Sequence, residues 1–303
     1  MAGVWTGMAG AAGAAVRRAG APAARAGCPA AWATAATASA GAAGRRLYSA
    51  AADDGLASKF LLRPLGSNHA PAATDNTGRD TRTEEEKKRD FTDYGKHLER
   101  RKQMLEEFSK SHFDEIYKYR ANLGKDWVGP PSYFRADRAL YMPNFFGRTL
   151  ASSKPSGTTD VLRGKVSIVR VYTSVSGGAQ AASYFESEAA AVGDEPADGG
   201  YQIVDINMPE SAIKDGLVRL FEGNLRRTFG PARHSRYFIV RAGVSADLRR
   251  ALGIGNKYTG YIYVVDRDCR VRWAACGAAI GPEREWMWKA VRGLVKERRR
   301  ATM

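Results

Sequence analysis

The stretch 256–277, NKYTGYIYVVDRDCRVRWAACG, limits what this chain can fold into more than any other. Tyr261–Val265 is aromatic and β-branched with no breaker inside it, which is strand composition. Asp266-Arg267-Asp268 is polar turn chemistry. Residues 269–273 then alternate, with Cys269, Val271 and Trp273 on one face and Arg270 and Arg272 on the other. Two such runs around a three-residue turn predict a β-hairpin. The first strand has no polar alternation, so it belongs inside a sheet, covered on both faces. The second belongs nearer an edge, with both arginines facing out. A one-residue slip would bury those arginines, so the apolar face sets the register. Gly277 ends the strand ahead of a Trp-rich helix.

Upstream of the hairpin, 165–173 (KVSIVRVYT), 201–207 (YQIVDIN) and 236–241 read as strands. Helices are expected over 180–192, after a Gly177-Gly178 turn, over 209–221, opened by Pro209, and over 246–252, closed by Gly253. The last helix is expected over 286–295. Strands alternating with helices, then a hairpin and a final helix, predict α/β layering with parallel pairing across the first crossovers. This compact domain covers 164–303.

The first fifty residues carry no Asp, Glu or Lys, yet hold Arg17, Arg18, Arg25, Arg45 and Arg46 among Ala, Gly, Ser and Thr. An acid-free, arginine-bearing leader of small residues has transit-peptide composition. Its apolar runs are short and broken by arginine, unlike a secretory signal. Arg46-Leu47-Tyr48-Ser49 resembles a matrix-protease site cut after Tyr48, so 1–48 is expected to be a mitochondrial transit peptide. Losing its five arginines takes the chain from +15 to +10. The remaining arginines are dispersed and form no RNA-module signature, so no nucleic-acid partner is expected. No stretch reaches the ~18 apolar residues a spanning helix needs. Cys269 and Cys276, about 23 Å apart if extended at ~3.3 Å per residue, lie beyond disulfide reach and read as buried small apolar residues. Four scattered histidines with no HxxxH or CxxC argue against a zinc site, and no cofactor is expected.

Residues 49–82 are polar, rich in small side chains and aperiodic, and read as a flexible linker. Residues 83–124 read as a long amphipathic helical arm. Thr83-Glu84-Glu85-Glu86 is a capping box, and Phe91, Tyr94, Leu98, Leu105, Phe108, Ile116 and Tyr119 recur at helical spacing. Gly95 and Arg101 interrupt the stripe, and Gly124 is the expected C-cap. A continuous helix here would be roughly 55 Å long at ~1.5 Å per residue, so its apolar face either packs on its own domain or meets a partner. The proline-containing lead-in, 125–163, excludes a long element. Its apolar run 140–150 is either a strand and turn leading into the core or an exposed docking surface.

The order of elements resembles the thioredoxin fold, in its redoxin branch. Pro143…Gly147 and Leu162-Arg163-Gly164-Lys165 stand where that branch carries Pro-x-x-x-Gly and Leu-x-Gly-Lys. In active relatives the first core strand delivers a nucleophilic cysteine to a helix N-terminus, where the dipole lowers its pKa. Ser176 and Ala179 take those positions here, and Lys257-Tyr258-Thr259-Gly260 lacks the usual cis-proline. Neither position offers a thiolate, so the resemblance implies a redox site that has degenerated. A divergent thiol peroxidase or reductase is the alternative, and it would need a working cysteine at a helix start.

A narrower resemblance rests on Asp137-Arg138-Ala139-Leu140-Tyr141-Met142-Pro143-Asn144, on Gly223-Asn224-Leu225-Arg226, and on His234 before Tyr237-Phe238. It closes with 256–266, Arg272-Trp273-Ala274 and Cys276-Gly277. Together, and in this order, these resemble the mitochondrial ATPase complex subunit ten family. The resemblance implies a non-catalytic chaperone for the membrane sector of ATP synthase, peripheral on the matrix side of the inner membrane. The clients implied are subunit a and the c-ring, with contact to an anionic membrane. Such a binder needs aromatic surface and positive charge. Asn224, Arg226, Lys257 and Tyr258, in loops or at element ends, are the candidate partner contacts, with Arg227, Arg233 and Arg236 as further cations. Tyr261 and Tyr263 are expected in the sheet core.

Overall fold

The computed structural model describes residues 60–79, 83–95, 97–99, 101–102, 112–122, 124–185 and 200–300. The leader, both ends of the linker, the middle of the arm and residues 186–192 of the helix expected over 180–192 lie outside the described residues. Seven strands form one sheet: β1 (Phe146–Thr149), β2 (Ser156–Gly157), β3 (Ser167–Tyr172), β4 (Gln202–Asn207), β5 (Tyr237–Ile239), β6 (Tyr261–Val265) and β7 (Val271–Cys276). Their order is β2-β1-β5-β4-β3-β6-β7. β3 pairs parallel with β4, and β4 with β5, as the crossover pattern predicts. β6 runs antiparallel to β3 and carries β7 at the edge. The helices are α1 (Glu84–Thr92), α2 (His112–Asn122), α3 (Thr158–Leu162), α4 (Val175–Ala182), α5 (Ala212–Thr228), α6 (Pro231–His234), α7 (Ala246–Ala251) and α8 (Glu283–Arg300). This is a thioredoxin-like sheet with flanking helices, the fold class the sequence predicts.

Strand alternation divides the core between the two faces of the sheet. Val169, Val204, Phe238, Tyr261 and Tyr263 pack with Met142, Phe145, Leu248 and Leu252 on one face. Ile168, Ile203, Ile262, Val264 and Trp273 meet Tyr184, Phe185 and the Met287, Trp288 and Val291 stripe of α8 on the other. β6 is buried along its whole length, as its unbroken apolarity requires.

The hairpin departs from the expected alternation in two ways. Its loop is 267–269, with Cys269 at φ +62°. The Cys269 N–H donates to the Asp266 carbonyl at 3.1 Å, and the Asp266 N–H to the Arg270 carbonyl at 3.0 Å. Cys269 therefore belongs to the turn and not to the strand. A bulge follows, because Val264 faces Trp273 while Val265 faces Val271, leaving Arg272 as the extra residue. Val271 and Trp273 consequently face opposite layers. Arg272, expected in solvent, is buried. Its guanidinium donates to the Phe134 carbonyl at 2.6 Å, to Asp266 at 3.0 Å and to Glu297 at 3.1 Å. Arg270 lies 4.4 Å over the Tyr141 ring and donates to the carbonyls of Ala136 and Ala139. The lead-in covers the β7 edge, with Phe134 N–H on the Arg272 carbonyl and Val271 N–H on the Leu140 carbonyl, both at 2.7 Å.

That covering settles the reading of 140–150 as a strand and turn entering the core, since Met142, Phe145 and Leu150 are buried. It also corrects the linker. Residues 60–79 lie along the lead-in: Phe60 bridges Val128, Ser67 and Tyr141 exchange backbone bonds at 2.7 and 2.8 Å, and the Asn144 amide donates to the Ala73 and Asp75 carbonyls. Irregular lead-in backbone needs partners for its polar groups, and this segment supplies them.

In the arm, Thr83 and Glu86 make the reciprocal capping box, at 3.2 and 2.9 Å. α1 nevertheless ends at Thr92, because Asp93 turns to extended backbone at ψ 110°, so the arm is not one continuous helix. Gly124, at φ +78° just past α2, takes the left-handed conformation expected of it. α4 begins at Val175 and not Gln180, capped by Ser174, so Gly177 and Gly178 lie inside its first turns. α5 begins after the Ser211 N-cap, leaving Pro209 outside, and runs to Thr228, past the expected end at Phe221.

Candidate functional site at the end of strand β3

The end of β3 and the start of α4 form the place where a thioredoxin-like fold presents its reactive group. Ser174 caps α4, its Oγ accepting from the Gly177 N–H at 3.1 Å. Ser176 Oγ lies 2.9 Å from Ser174 Oγ and donates to the Tyr258 carbonyl at 3.0 Å. The hydroxyl at the nucleophile position is thus tied to the loop before β6. That loop presses close: a Cβ on Gly260 would lie 2.0 Å from the Gly177 carbonyl oxygen, so only glycine fits. The Gly260 N–H donates to Gln180 Oε1 at 3.0 Å, closing the junction further. No cis peptide bond occurs among the described residues. Ala179 is exposed one turn along α4 and adds no polar atom.

The thiols lie elsewhere. Cys276 ends β7, where its Sγ donates to the Trp127 carbonyl at 3.2 Å. Burial, with Lys125 as the nearest opposing influence, pushes its thiol up to about 12. Cys269 sits in the hairpin turn, and burial pushes it up to about 11, against a smaller lowering by Arg163. Both are buried and free, and neither stands at a helix N-terminus. Each therefore stays protonated at neutral pH and is a poor nucleophile. In native protein at pH 7.5, alkylation of Cys269 and Cys276 by iodoacetamide is expected to be at least about 100-fold slower than in urea. Mass-spectrometric labelling kinetics check this, and equal rates would remove the inert-thiol reading.

Of the predicted partner contacts, the structure gathers Lys257 and Tyr258 beside Ser176. The Tyr258 ring packs against Tyr119 of α2 at 6.0 Å, and Lys257 lies 5.5 Å over the Tyr258 ring and 3.9 Å from Glu210. Asn224 and Arg226 are in the last turns of α5 and belong to a different place. Lys214, which shares Glu210 with Lys257, is roughly 18 Å along the helix from Arg226 at ~1.5 Å per residue. Arg226 donates to the Leu150 carbonyl at 2.8 Å and keeps its guanidinium partly exposed. Arg233 is corrected outright: it is buried and paired with Asp205 at 2.6 Å, so it offers no surface charge.

Two buried charge clusters were missed in the sequence. Asp205 of β4 holds Arg170 of β3 and Arg233 of α6, and Glu283 at the start of α8 holds Lys125. A charge in the middle of SIVRVY and another in the middle of QIVDIN were the available signal for the first.

Among solved structures, a secreted thiol-disulfide isomerase from Corynebacterium glutamicum superposes with a TM-score of 0.37 at 11% identity, covering 56% of this chain and 92% of that one. The Mitochondrial ATPase complex subunit ATP10 of Eremothecium gossypii is 43% identical over 196 residues, 64% of this chain and 72% of that protein. The protein of the same name from Saccharomyces cerevisiae is 31% identical over 252 residues, 78% of this chain and 87% of its own length. The family profile described as ATP10 protein matches residues 45–294, and on that match the chain belongs to the ATP10 protein family.

Proposed function

We propose that this chain is a non-catalytic assembly factor for the mitochondrial ATP synthase, acting on its membrane sector to help subunit a join the c-ring. The observation that carries this is the family match across 45–294. The site supports it in chemical terms: hydroxyls stand at the β3–α4 junction, Ser176 is bonded to backbone, and both described thiols are buried in the core. A thiol oxidoreductase needs a low-pKa, accessible cysteine, and neither cysteine qualifies. The proposed location is the matrix face of the inner membrane, reached by way of the 1–48 leader. No helix among the described residues is long and apolar enough to cross a membrane. Client contacts are assigned to Lys257 and Tyr258 beside α4, and separately to Asn224 and Arg226 on α5.

Deleting the gene and resolving ATP synthase on native gels tests the function. The expected result is loss of subunit a from the complex with an intact catalytic sector. Normal subunit a content would overturn it. Because the two contact groups are apart, Lys257→Glu and Arg226→Glu are to be scored separately. Each is expected to lower assembled subunit a. Arg226→Glu, at a side chain 46% exposed, should keep the thermal midpoint to within about 3 °C, whereas Lys257→Glu, at a side chain 14% exposed that faces Glu210, should lower it and is scored at a temperature where the variant is folded. A variant that leaves assembly untouched removes its residue from the contact set.

A further inference from the structure

Helix α5 carries more apolar surface than the domain covers. Ile213, Leu217, Leu220 and Phe221 are 79%, 51%, 74% and 56% exposed. At about 100° per residue they fall in one arc, and the arc continues onto Val218 and Leu225. Those two pack on Leu150, Tyr237 and Ile239. Part of the apolar side of the helix thus belongs to the core and part is bare, with Lys214 at the boundary between them. Gly216 and Gly223 flank the bare part, and a Cβ on either would meet nothing within 4 Å. The surface beside the ridge is therefore open and low.

The charges on α5 are sorted by direction. Both acids turn inward onto Arg148: Asp215 at 2.7 Å, and Glu222 in direct contact. Lys214, Arg219 and Arg226 keep side chains 52%, 65% and 46% exposed, and each also reaches a carboxylate: Glu210 at 2.8 Å, Asp215 at 3.4 Å and Glu222 at 3.7 Å. Beside the helix, Arg79, Arg148, Arg219 and Arg241 line a cleft whose one carboxylate, Asp215, is already paired to Arg148. An apolar ridge with cations at its margins and its acids withdrawn matches a bilayer surface, where headgroup phosphates lie above acyl chains. A second copy of the chain would set these cationic margins against each other.

We propose that α5 and the adjoining arginine cleft dock this protein on a bilayer of anionic phospholipid. Ile213, Leu217, Leu220 and Phe221 enter the acyl boundary, and Arg219 and Arg241 meet lipid phosphates. This rests on the peripheral-membrane reading above and assigns that contact a surface.

The test uses residues 49–303, the chain left after the proposed leader, which removes both Cys28 and the leader's five arginines, with a polarity-sensitive fluorophore attached through Leu220→Cys. A second preparation carries it through Asp247→Cys on α7, where the side chain is 78% exposed. Each is mixed with phosphatidylcholine vesicles, with or without about one-third phosphatidylglycerol, the anionic fraction supplying the headgroup attraction. The label at 220 is expected to brighten several-fold and shift to the blue with phosphatidylglycerol only, while the label at 247 does not respond. Adding Leu217→Ser with Phe221→Ser is expected to weaken vesicle binding about tenfold, with an unchanged thermal melt, since both side chains are exposed. Arg219→Glu with Arg241→Glu is expected to weaken it and flatten its salt dependence. Vesicle binding with a silent label at 220 would overturn the α5 surface and leave the membrane reading standing. No vesicle binding at all would overturn both. A label that responds without lipid as the chain dimerises would assign the ridge to a second copy, and one that responds only to a protein client would assign it to that client; either overturns the proposal.

Discussion

Replacing Asp205 by alanine is expected to remove about 3–5 kcal/mol of folding stability, the cost of leaving buried charge without its partner. Asp205 is 1% exposed and stands directly opposite Arg170 in the β3–β4 register. Its Oδ1 accepts from Arg170 Nε at 2.6 Å, and its Oδ2 from Arg233 Nη2 at 2.6 Å. Burial alone would lower the pKa of Arg170, and the Asp205 charge overrides it, holding the group above the usual arginine range. The two guanidiniums also rest on rings, Arg170 over Phe185 at 5.5 Å and Arg233 over Phe229 at 4.8 Å. Without the carboxylate, two buried cations lose the anion between them, and ring contacts worth about 1–2 kcal/mol each do not replace it. A domain of ordinary stability has about 5–15 kcal/mol in total, so the variant should lie near the edge of folding. Asp205→Asn should lose less, because it keeps one acceptor in place. The triple replacement Arg170→Met, Asp205→Leu and Arg233→Met should recover most of the loss, because no orphaned charge is left. Urea midpoints for the series decide it. A loss under about 1 kcal/mol for Asp205→Ala would mean that water or relaxation neutralises the arginines.

The parts of the fold that were legible in the sequence are those set by local pattern. Tyr261–Val265 reads as an interior strand because five apolar or aromatic residues in a row leave no solvent face. Thr83 and Glu86 read as a capping box because both bonds close within three residues. What failed was set by partners distant in the chain. Arg272 looks like an outward-facing edge residue until Phe134 and Glu297, 138 and 25 residues away, offer it acceptors. The bulge that buries it does not follow from alternation. Residues 60–79 have the composition of a linker and are held by bridges to Val128 and Tyr141 that composition does not encode. The candidate site was half legible. Ser176 was placed by its offset from a strand end, whereas the separation of Arg226 from Lys257 follows from the full length of α5, which Gly223 conceals.

The second large effect is expected at Glu283, the first residue of α8 and fully buried. One carboxylate gathers four donors. Gly129 N–H reaches Oε1 at 2.7 Å, Ile280 N–H and the Tyr184 hydroxyl reach Oε2 at 3.0 and 3.2 Å, and Lys125 Nζ contacts Oε2 directly. The helix N-terminus favours the negative charge as well. Lys125 has the Tyr184 oxygen at 3.0 Å and the Ala278 carbonyl at 2.9 Å as its remaining acceptors. The two partners are therefore unequally supported. Glu283→Gln keeps one oxygen as acceptor but leaves the ammonium among neutral acceptors only, and should cost about 3 kcal/mol, the lower end for a broken buried pair. Lys125→Met leaves the carboxylate with three donors and the dipole, and should cost about 1–3 kcal/mol. The cluster also anchors the chain close behind the arm, because Lys125 follows the left-handed Gly124 three residues past the end of α2. Gly129 packs so closely on Trp273 that an added Cβ would lie 2.3 Å from the ring, so the lead-in has one seat. Hydrogen exchange in Glu283→Gln should therefore quicken first over 125–135, ahead of the central strands β3, β4 and β6, at denaturant concentrations where the sheet remains closed. If the sheet and the lead-in lose protection together, the buried pair supports the whole domain cooperatively.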